Sequence, residues 1–349
     1  MLKALRAAIL LFLASACVSC GGESQLLSLR GETMGTTFNV SIIRAPDGPP
    51  QHAIEAAIAD ELSTANAIFS NWDPSSEVSR FNRSAAGAPF ELSSAFIDLL
   101  EIADFVHVAS EGHFDLTSGP LIELWGFGES GPAARIPTDD EILSTLAKVG
   151  QQRVIQSASG GMALIKRDTA VSLNVAAIAK GAGIDAIADR LKRMGFDDYL
   201  VEIGGDLRAS GAGPAGSGWR IAIEKPDARS GDVQEAVSLE NHGMATSGDY
   251  RNYFEDDGVR YSHVIDPTTG RPVLHKTASV SVIAASATLA DAWATALLVI
   301  GQDRGQRIAE SHGIAAQFLV RVDEGAEFRR YATASFDEYV LASGVSAAQ

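Results

Sequence analysis

Apolar residues recur along most of the chain with the spacings of strands and amphipathic helices. Phe38, Val40 and Ile42 alternate with polar neighbours, which predicts a half-buried strand. Over residues 53–69 the apolar side chains recur every three or four positions, which predicts a helix. Further helices are predicted over 94–110, 178–194 and 287–300, and behind a capping box formed by Thr138 and Glu141.

The predicted strands are short, and they mix with the helices without regular alternation. This order favours an α+β fold with a substantially antiparallel sheet and flanking helices over a doubly wound sheet. We predict one interwoven domain over residues 29–345. The other predicted strands lie at 154–156, 163–166, 171–175, 199–203, 219–223, 261–265 and 279–283, with short elements near 306–311, 317–320 and 328–331.

The first residues have a different pattern. Lys3 and Arg6 precede the apolar run of residues 7–16, which is too short to span a bilayer and is typical of a secretory signal. The small residues before Cys17 resemble a bacterial lipobox, so we predict a lipoprotein signal peptide over 1–16 and lipidation at Cys17, with Cys20 as the alternative. A redox or metal-binding Cys-x-x-C pair is the competing interpretation. Residues 17–28 are predicted to be a tether, which would hold the domain on the periplasmic side of the inner membrane.

Composition narrows the class of protein. The chain has 349 residues, of which 46% are hydrophobic and 21% are charged, as in ordinary globular proteins. The net charge of −16 argues against nucleic acid as a partner, because non-specific binding to phosphates needs a basic surface. An anionic small ligand is still compatible with this charge, since a local cation can bind it.

Two polar segments in the last third contain the residues best suited to chemistry. Asp291 and Thr295 are one helical turn apart, so a carboxylate and a hydroxyl share one helix face, and both are oxygen donors that suit Mg²⁺. The alternative is an Asp favoured near a helix N-terminus and a Thr bonded to its own backbone. The segments 246–250 and 262–270 are rich in polar residues, Gly and Pro, which predicts shaped loops. His263 within them is either a general base or a structural histidine.

Eight segments stand in a fixed order over about residues 29 to 340. They are Met34-Gly35-Thr36, Phe69-Ser70-Asn71-Trp72, Gly112-His113-Phe114-Asp115 with Leu124-Trp125-Gly126-Phe127-Gly128, Ala177-Ile178-Ala179-Lys180-Gly181, Ile203-Gly204-Gly205-Asp206, Thr246 to Tyr250, Ser262 to Gly270 and Asp291 to Thr295. Each segment alone is a weak signal, but together and in this order they resemble the ApbE family of FAD:protein FMN transferases.

The resemblance implies a T-fold-like α/β domain that binds FAD and Mg²⁺ and transfers FMN to a Thr or Ser of a target protein, releasing AMP. It implies that Asp291, Thr295 and the carbonyl of Ala177 ligate Mg²⁺. His263 would lie beside the reacting phosphate, and either His263 or Asp249 would be the base. The FAD site would include Met34, Trp72, His113, Phe114, Asp115, Asn174, Lys180 and Ile265.

Two positions depart from the family pattern. Asn174 stands where the family commonly has Asp, and Ala294 stands where some members have a further Asp near the metal. The second departure predicts weaker metal affinity. Two other functions use the same residues: a Mg²⁺-dependent FAD pyrophosphatase, with water as the nucleophile, and a periplasmic lipoprotein that binds FAD without chemistry. The expected partners are FAD, an exported or membrane-bound flavin acceptor and, through the lipid, the membrane.

Overall fold

The computed structural model of the chain describes residues 24–128, 131, 135–226, 232–250, 252–322 and 327–342. The predicted signal peptide and both candidate lipidation sites, Cys17 and Cys20, lie outside the described residues. Within the described ranges, no helix combines the length and the apolar character needed to cross a membrane.

An eight-stranded sheet organises the molecule, and every neighbouring pair of its strands is antiparallel. The strand order is β1-β2-β6-β7-β10-β15-β16-β17, and the other strands form four small sheets. The strands, numbered along the chain, are β1 Gln25–Thr33, β2 Thr36–Arg44, β3 Pro89–Glu91, β4 Ile155–Ala158, β5 Ala163–Lys166, β6 Tyr199–Ile203, β7 Asp206–Ser210, β8 Trp219–Glu224, β9 Val233–Leu239, β10 Gly243–Gly248, β11 Tyr253–Asp256, β12 Val259–Ser262, β13 Ile265–Asp266, β14 Arg271–Pro272, β15 Thr277–Ala284, β16 Ala315–Arg321 and β17 Phe328–Ala332.

The helices largely match the segments predicted from apolar spacing. The capping box at Thr138 is confirmed: its side chain accepts from the backbone N–H of Glu141, and the Glu141 side chain accepts from that of Thr138. The helices are α1 Gln51–Phe69, α2 Glu77–Arg83, α3 Ser94–Ala109, α4 Gly119–Leu124, α5 Asp139–Leu146, α6 Gln151–Val154, α7 Ala179–Arg193, α8 Ala287–Ile300, α9 Gln302–Ser311 and α10 Ala334–Asp337.

Successive residues of β10 face opposite sides of the central sheet and belong to different apolar clusters. Ala245 packs in the cluster that contains Trp293 of α8 and residues of α3. Met244 packs in the cluster that contains Trp219 of β8 and Phe336 of α10. This alternation buries the sheet on both faces, and it confirms the predicted α+β architecture with flanking helices.

Two predicted boundaries near the sheet are wrong. Residues 25–28, assigned to the tether, begin β1, which pairs with β2 over its whole length. Residues 246–248, predicted as part of a loop, belong to β10, which lies between β7 and β15. The polar character of this strand misled the prediction: Thr246 bonds Ser281 of the neighbouring strand through its hydroxyl, at 2.8 Å.

Two predicted strands have a different local structure. Residues 171–175 form neither helix nor strand and belong to none of the described sheets, and asparagine side chains, described below, bond the backbone of Leu173 and Val175. Residues 261–265 are split between β12 and β13. His263 lies at this break, and its backbone N–H donates to the carbonyl of Asn252.

Candidate functional site

A cleft of about 720 Å³ brings together segments that are far apart in the sequence. Its volume lies within the roughly 300–1,000 Å³ common for ligand sites. Most of the residues predicted for the site line it: Trp72, His113, Phe114, Asp115, Asn174, Ala177, Lys180, His263, Ile265, Asp291 and Thr295. Of the predicted residues, Met34 and Asp249 do not line the cleft in the described part of the chain.

Helix α8 presents Asp291 and Thr295 to the cleft, one turn apart, as the spacing predicted. The start of this helix is fixed from α7, because the carboxylate of Asp185 accepts the backbone N–H groups of Ala287 (3.0 Å) and Thr288 (2.9 Å). These are unpaired donors of the first helical turn, and a carboxylate there also opposes the positive end of the helix dipole. The wall of the cleft is therefore anchored at its N-terminal end.

The α7 and α8 backbones approach closely at Gly181. A Cβ atom on this glycine would lie 2.5 Å from the carbonyl oxygen of Ala287, so the contact requires glycine. The approach lets the backbone N–H of Gly181 donate to Asp291 Oδ2 at 3.1 Å. It also brings Lys180, at the start of α7, to the carboxylate of Asp291.

Lys180 lies between two buried carboxylates. Its Nζ is 2.9 Å from Asp206 Oδ2 and 3.2 Å from each carboxylate oxygen of Asp291. Burial raises the pKa of Asp291 to about 6, against the attraction of Lys180 and with added repulsion from Asp206. Burial acts to lower the pKa of Lys180, but the two carboxylates outweigh it and the net shift is upward. Lys180 is therefore a permanently charged counter-ion.

The oxygen donors along this wall fit a magnesium ion. Thr295 Oγ1 lies 3.2 Å from Ser247 Oγ, and the Ala177 backbone borders the same cleft as Asp291. Among the described residues, no group of three or more His, Cys, Asp or Glu side chains is arranged to hold a metal. A set with one carboxylate, one hydroxyl and one carbonyl suits Mg²⁺, which keeps several waters and binds substrate phosphates.

Ala294 does not contribute to this wall. It is fully buried in the apolar cluster that contains α8 and does not line the cleft among the described residues. Some members of the family that the sequence resembles have an Asp at this position, and this chain lacks that carboxylate. The second carboxylate near Asp291 comes instead from Asp206 at the start of β7.

Two asparagine side chains hold the extended segment that leads to Ala177. Asn71 and Asn82 both donate to the carbonyl of Leu173, at 2.8 and 2.9 Å. Asn82 accepts from the N–H of Leu173 at 2.7 Å, and Asn71 accepts from that of Val175 at 3.0 Å. The amides replace the partner strand that this segment lacks.

Asn174 and Asp115 are partly occupied by local backbone contacts. Asn174 Oδ1 accepts from Ala176 at 3.0 Å, so its side chain shapes the turn before α7. Asp115 accepts from the backbone N–H groups of Thr117 (2.7 Å) and Gln151 (3.0 Å), and its residue is buried. Asp115 therefore caps the short 3-10 turn that follows it.

His113 has both ring nitrogens engaged. Arg304 donates to Nε2 at 3.0 Å, so Nε2 is the acceptor nitrogen of the ring. Nδ1 then has the proton and donates to Asp266 Oδ1 at 3.1 Å. This chain of contacts holds the imidazole against the cleft and leaves it no free nitrogen, which favours a positioning role.

His263 differs from His113, because its Nε2 is available to the cleft. Its Nδ1 donates to the carbonyl of Asn252 at 2.9 Å, which leaves Nε2 as a proton acceptor. Burial lowers the pKa of His263, against the Asn252 hydrogen bond and the charge of Asp249. Asp249 itself is buried and forms two hydrogen bonds with Arg321, at 2.6 and 2.8 Å. Because both Asp249 oxygens accept from Arg321 and Asp249 does not line the cleft in the described part of the chain, the geometry favours His263 as the base.

The apolar members of the predicted site differ in exposure. Phe114 and Ile265 are buried at 2% and 7%, whereas Trp72 is 72% exposed and offers a free aromatic surface at the cleft rim. Met34 lies in the turn between β1 and β2 with a φ of 50°. Its side chain covers α7 at Gly183, where a Cβ would lie 2.9 Å from Met34 Cε. Met34 thus supports the helix that begins with the cleft residue Lys180.

Spacing and composition do not predict the roles of Asp206, Asn71, Asn82 and Ser247. Asp206, Asn71 and Ser247 stand in segments that carried the family resemblance, and this was the available signal. No local spacing relates Asp206 to Asp291 or Asn82 to Leu173, because the members of each pair are far apart in sequence.

Comparison with known proteins places these residues in a family context. The model of the ApbE family matches residues 34–318. The chain is 39% identical over 321 residues to the FAD:protein FMN transferase of Vibrio cholerae, covering 92% of this chain and 95% of that protein. It is 37% identical over 333 residues to the enzyme of the same name from Haemophilus influenzae, covering 93% and 95%.

Solved structures agree with the fold. The apo form of the Pseudomonas stutzeri flavinyl transferase ApbE has a TM-score of 0.83 at 40% identity, covering 91% of this chain and 98% of that chain. The ApbE protein of Thermotoga maritima has a TM-score of 0.78 at 28% identity, covering 90% and 99%. The similarity thus extends over nearly the whole described domain.

Proposed function

The chain belongs to the ApbE family, and from this premise we propose that it is a flavin transferase that moves the FMN half of FAD onto a target protein. The observation that supports this best is the convergence of Asp291, Thr295, Lys180 and His263 in one cleft large enough for a dinucleotide. We further propose that the acceptor is a Thr or Ser hydroxyl, that the reaction requires Mg²⁺ and that AMP is released.

FAD would bind with its pyrophosphate at the polar wall and its ring systems at the apolar parts of the cleft. Trp72 offers an exposed aromatic surface for stacking at the rim of the cleft, and the buried Phe114 belongs to its apolar lining. Lys180 supplies a cation at the wall that the phosphates would face. Asn174 keeps its NH₂ group available for a hydrogen bond to the substrate, because within the described residues only its Oδ1 is engaged, by the N–H of Ala176.

The metal would be held by Asp291, Thr295 and the carbonyl of Ala177. When bound there, Mg²⁺ would neutralise the pyrophosphate and offset the charge that develops on the leaving phosphate. Ser247 orients the Thr295 hydroxyl, and Gly181 orients the Asp291 carboxylate. Supporting contacts of this kind typically affect metal affinity or activity by about 10- to 100-fold.

The transfer step is a displacement at the phosphorus of the FMN half. The acceptor hydroxyl loses its proton to His263 Nε2 as its oxygen bonds to that phosphorus. The bond from the same phosphorus to the bridging oxygen breaks, and that oxygen leaves with AMP. The product is a phosphodiester between FMN and the protein, and the proton passes from His263 to solvent. A base in this position contributes roughly 10²- to 10⁴-fold.

We also propose that the enzyme works on exported or membrane-bound acceptors. The support is the basic and apolar start of the sequence and the small residues before Cys17, which would place a lipid-anchored domain at the periplasmic side of the inner membrane.

The test is incubation of the purified chain with FAD, MgCl₂ and an exported redox subunit, followed by in-gel flavin fluorescence and AMP detection. We expect covalent flavin and AMP in equal amounts, and loss of both in the variant Asp291→Asn. AMP with free FMN and no labelled protein would instead identify a FAD pyrophosphatase. Bound FAD with neither product would identify a carrier.

A further inference from the structure

Asp206 is a buried carboxylate that the proposed reaction does not yet use. The residue is 2% exposed, and its Oδ1 accepts the backbone N–H of Thr246 at 3.0 Å, which joins β7 to β10. Its Oδ2 is 2.9 Å from Lys180 Nζ, so the two groups form an ion pair. An asparagine could also accept from Thr246 and join the two strands, so that hydrogen bond does not explain the negative charge next to Lys180.

Lys180 and a metal ion would compete for the same carboxylate. The ammonium group lies 3.2 Å from both oxygens of Asp291, and Mg²⁺ binds oxygen at about 2.0–2.1 Å. An ion bound to Asp291 would therefore lie next to the ammonium group, and the two cations would repel each other strongly in this buried place. Metal binding requires Lys180 to give up Asp291 and to keep another anionic partner.

Asp206 is that partner. We propose that Asp206 is a positioning residue that retains Lys180 when Mg²⁺ takes Asp291, and that the Asp206–Lys180 pair thereby sets the affinity for Mg²⁺. The inference rests on the proposed function, because it assumes that the metal binds at Asp291. With Asp206 present, Lys180 moves from two anionic partners to one. Without it, Lys180 has Asp291 alone and competes fully with the metal.

The test is a double-mutant cycle read out by Mg²⁺ binding. The full chain and the variants Asp206→Asn, Lys180→Met, the double variant and Asp291→Asn are titrated with MgCl₂ in a calorimeter without FAD. Asparagine is isosteric with aspartate and keeps an oxygen for Thr246, so Asp206→Asn removes the charge with little change in packing. Melting temperatures with EDTA and with MgCl₂ report the folding of each variant separately from its metal binding.

The expected order of affinities has opposite signs for the two single variants. Asp206→Asn weakens Mg²⁺ binding about tenfold or more, because Lys180 then competes fully for Asp291. Lys180→Met strengthens Mg²⁺ binding, because the competing ammonium group is gone. A tenfold change in affinity corresponds to about 1.4 kcal/mol. The double variant recovers most of the loss of Asp206→Asn, because the competing ammonium group is gone. If Lys180→Met alone does not fold, the comparison of Asp206→Asn with the double variant still decides the matter.

Three results would overturn the inference. Unchanged Mg²⁺ affinity in Asp206→Asn would show that Lys180 needs no second partner. A double variant as weak as Asp206→Asn would show that Asp206 acts on the metal directly and not through Lys180. If the full chain does not bind Mg²⁺ in this titration, the metal site that the inference assumes is contradicted. The first two results do not contradict the proposed function if two further observations hold. Asp291→Asn must lose the Mg²⁺ binding that the wild type shows, and the wild type must transfer flavin.

Discussion

At the scale of single residues, His263 is the group whose protonation state matters most for the proposed transfer. Its Nδ1 is fixed as a donor by the carbonyl of Asn252, so the remaining nitrogen is available to accept a proton. Burial holds its pKa below the ordinary histidine value of 6.5, which keeps the ring neutral at physiological pH. A base must be deprotonated to act, so activity is retained until the pH falls to the lowered pKa of His263.

We predict that kcat/KM for flavin transfer decreases on the acid side only below pH 6.5, with a histidine-like slope. His263→Gln should lower kcat/KM by about 10²-fold or more and remove the part of this pH dependence that comes from the histidine, whereas the part that comes from Asp291 is retained. His52→Gln, on the exposed surface of α1, is the matched control and should behave as wild type. A His263→Gln variant with an unchanged rate and pH profile would exclude the histidine as the base.

Some pairs of site residues are related by their spacing in the sequence, and others only by the tertiary structure. The first kind can be predicted from the sequence, and the second kind cannot. Asp291 and Thr295 are one helical turn apart, and this relation can be predicted from spacing alone. Asp206 approaches Asp291 only because β7 lies beside β10 and α7 crosses α8. The two-fold contact of Asp249 with Arg321 likewise depends on the placement of β16. Relations of this second kind follow from the tertiary structure and not from the local pattern.

At the scale of elements, the crossing of α7 and α8 determines the geometry of the polar wall. The crossing has no space for a side chain at Gly181, since a Cβ there would also lie 2.6 Å from the Cα of Thr288. Backbone atoms cannot move aside as flexible side chains do, so the helices themselves would have to separate. Separation would break the hydrogen bond by which the Gly181 N–H orients the Asp291 carboxylate.

Gly181→Ala is therefore predicted to lower the free energy of unfolding by about 1–3 kcal/mol, the usual cost of overpacking, and to weaken Mg²⁺ binding. Lys192→Ala, on the exposed part of α7, serves as the control and should change neither quantity. Urea unfolding gives the stability, and calorimetric titration with MgCl₂ gives the affinity. Wild-type values for Gly181→Ala would mean that the crossing tolerates a side chain and does not fix the wall.

The helices were easier to predict than the polar strands and extended segments. Residues 287–300 were predicted as a helix and form α8 with the same bounds, because their apolar spacing and capping serine are local signals. Residues 246–248 of strand β10 are predicted as a loop, because Thr246 and Ser247 line a cleft instead of entering the core. Residues 171–175 looked like a strand, yet their partners are the side chains of Asn71 and Asn82. In both places the deciding contacts are made with distant parts of the chain, so the local pattern does not show them.

At the scale of the whole molecule, the sequence predicted the fold class but not the strand order. Antiparallel pairing and flanking helices followed from the mixture of short strands and amphipathic helices. The order β1-β2-β6-β7-β10-β15-β16-β17 inserts β6 and β7 between the first hairpin and β10. That insertion brings Asp206 beside Lys180 and Asp291, so the cleft is a product of topology as much as of motifs.

At the same scale, the attachment of the molecule to a membrane is supported by the sequence alone. If Cys17 is lipidated, Cys17→Ala in the full chain should move most of the protein from the membrane to the soluble periplasmic fraction, whereas Cys20→Ala should not. Acyl chains supply the binding energy, at about 0.8 kcal/mol per buried CH₂ group, and stable anchoring needs two signals.

Labelled fatty acid should be incorporated into wild type and Cys20→Ala only. The reverse pattern would assign the lipid to Cys20, and labelling of neither would exclude a lipid anchor. Flavin transfer to a soluble acceptor should be equal in both variants, because the cleft is built entirely from residues beyond the tether.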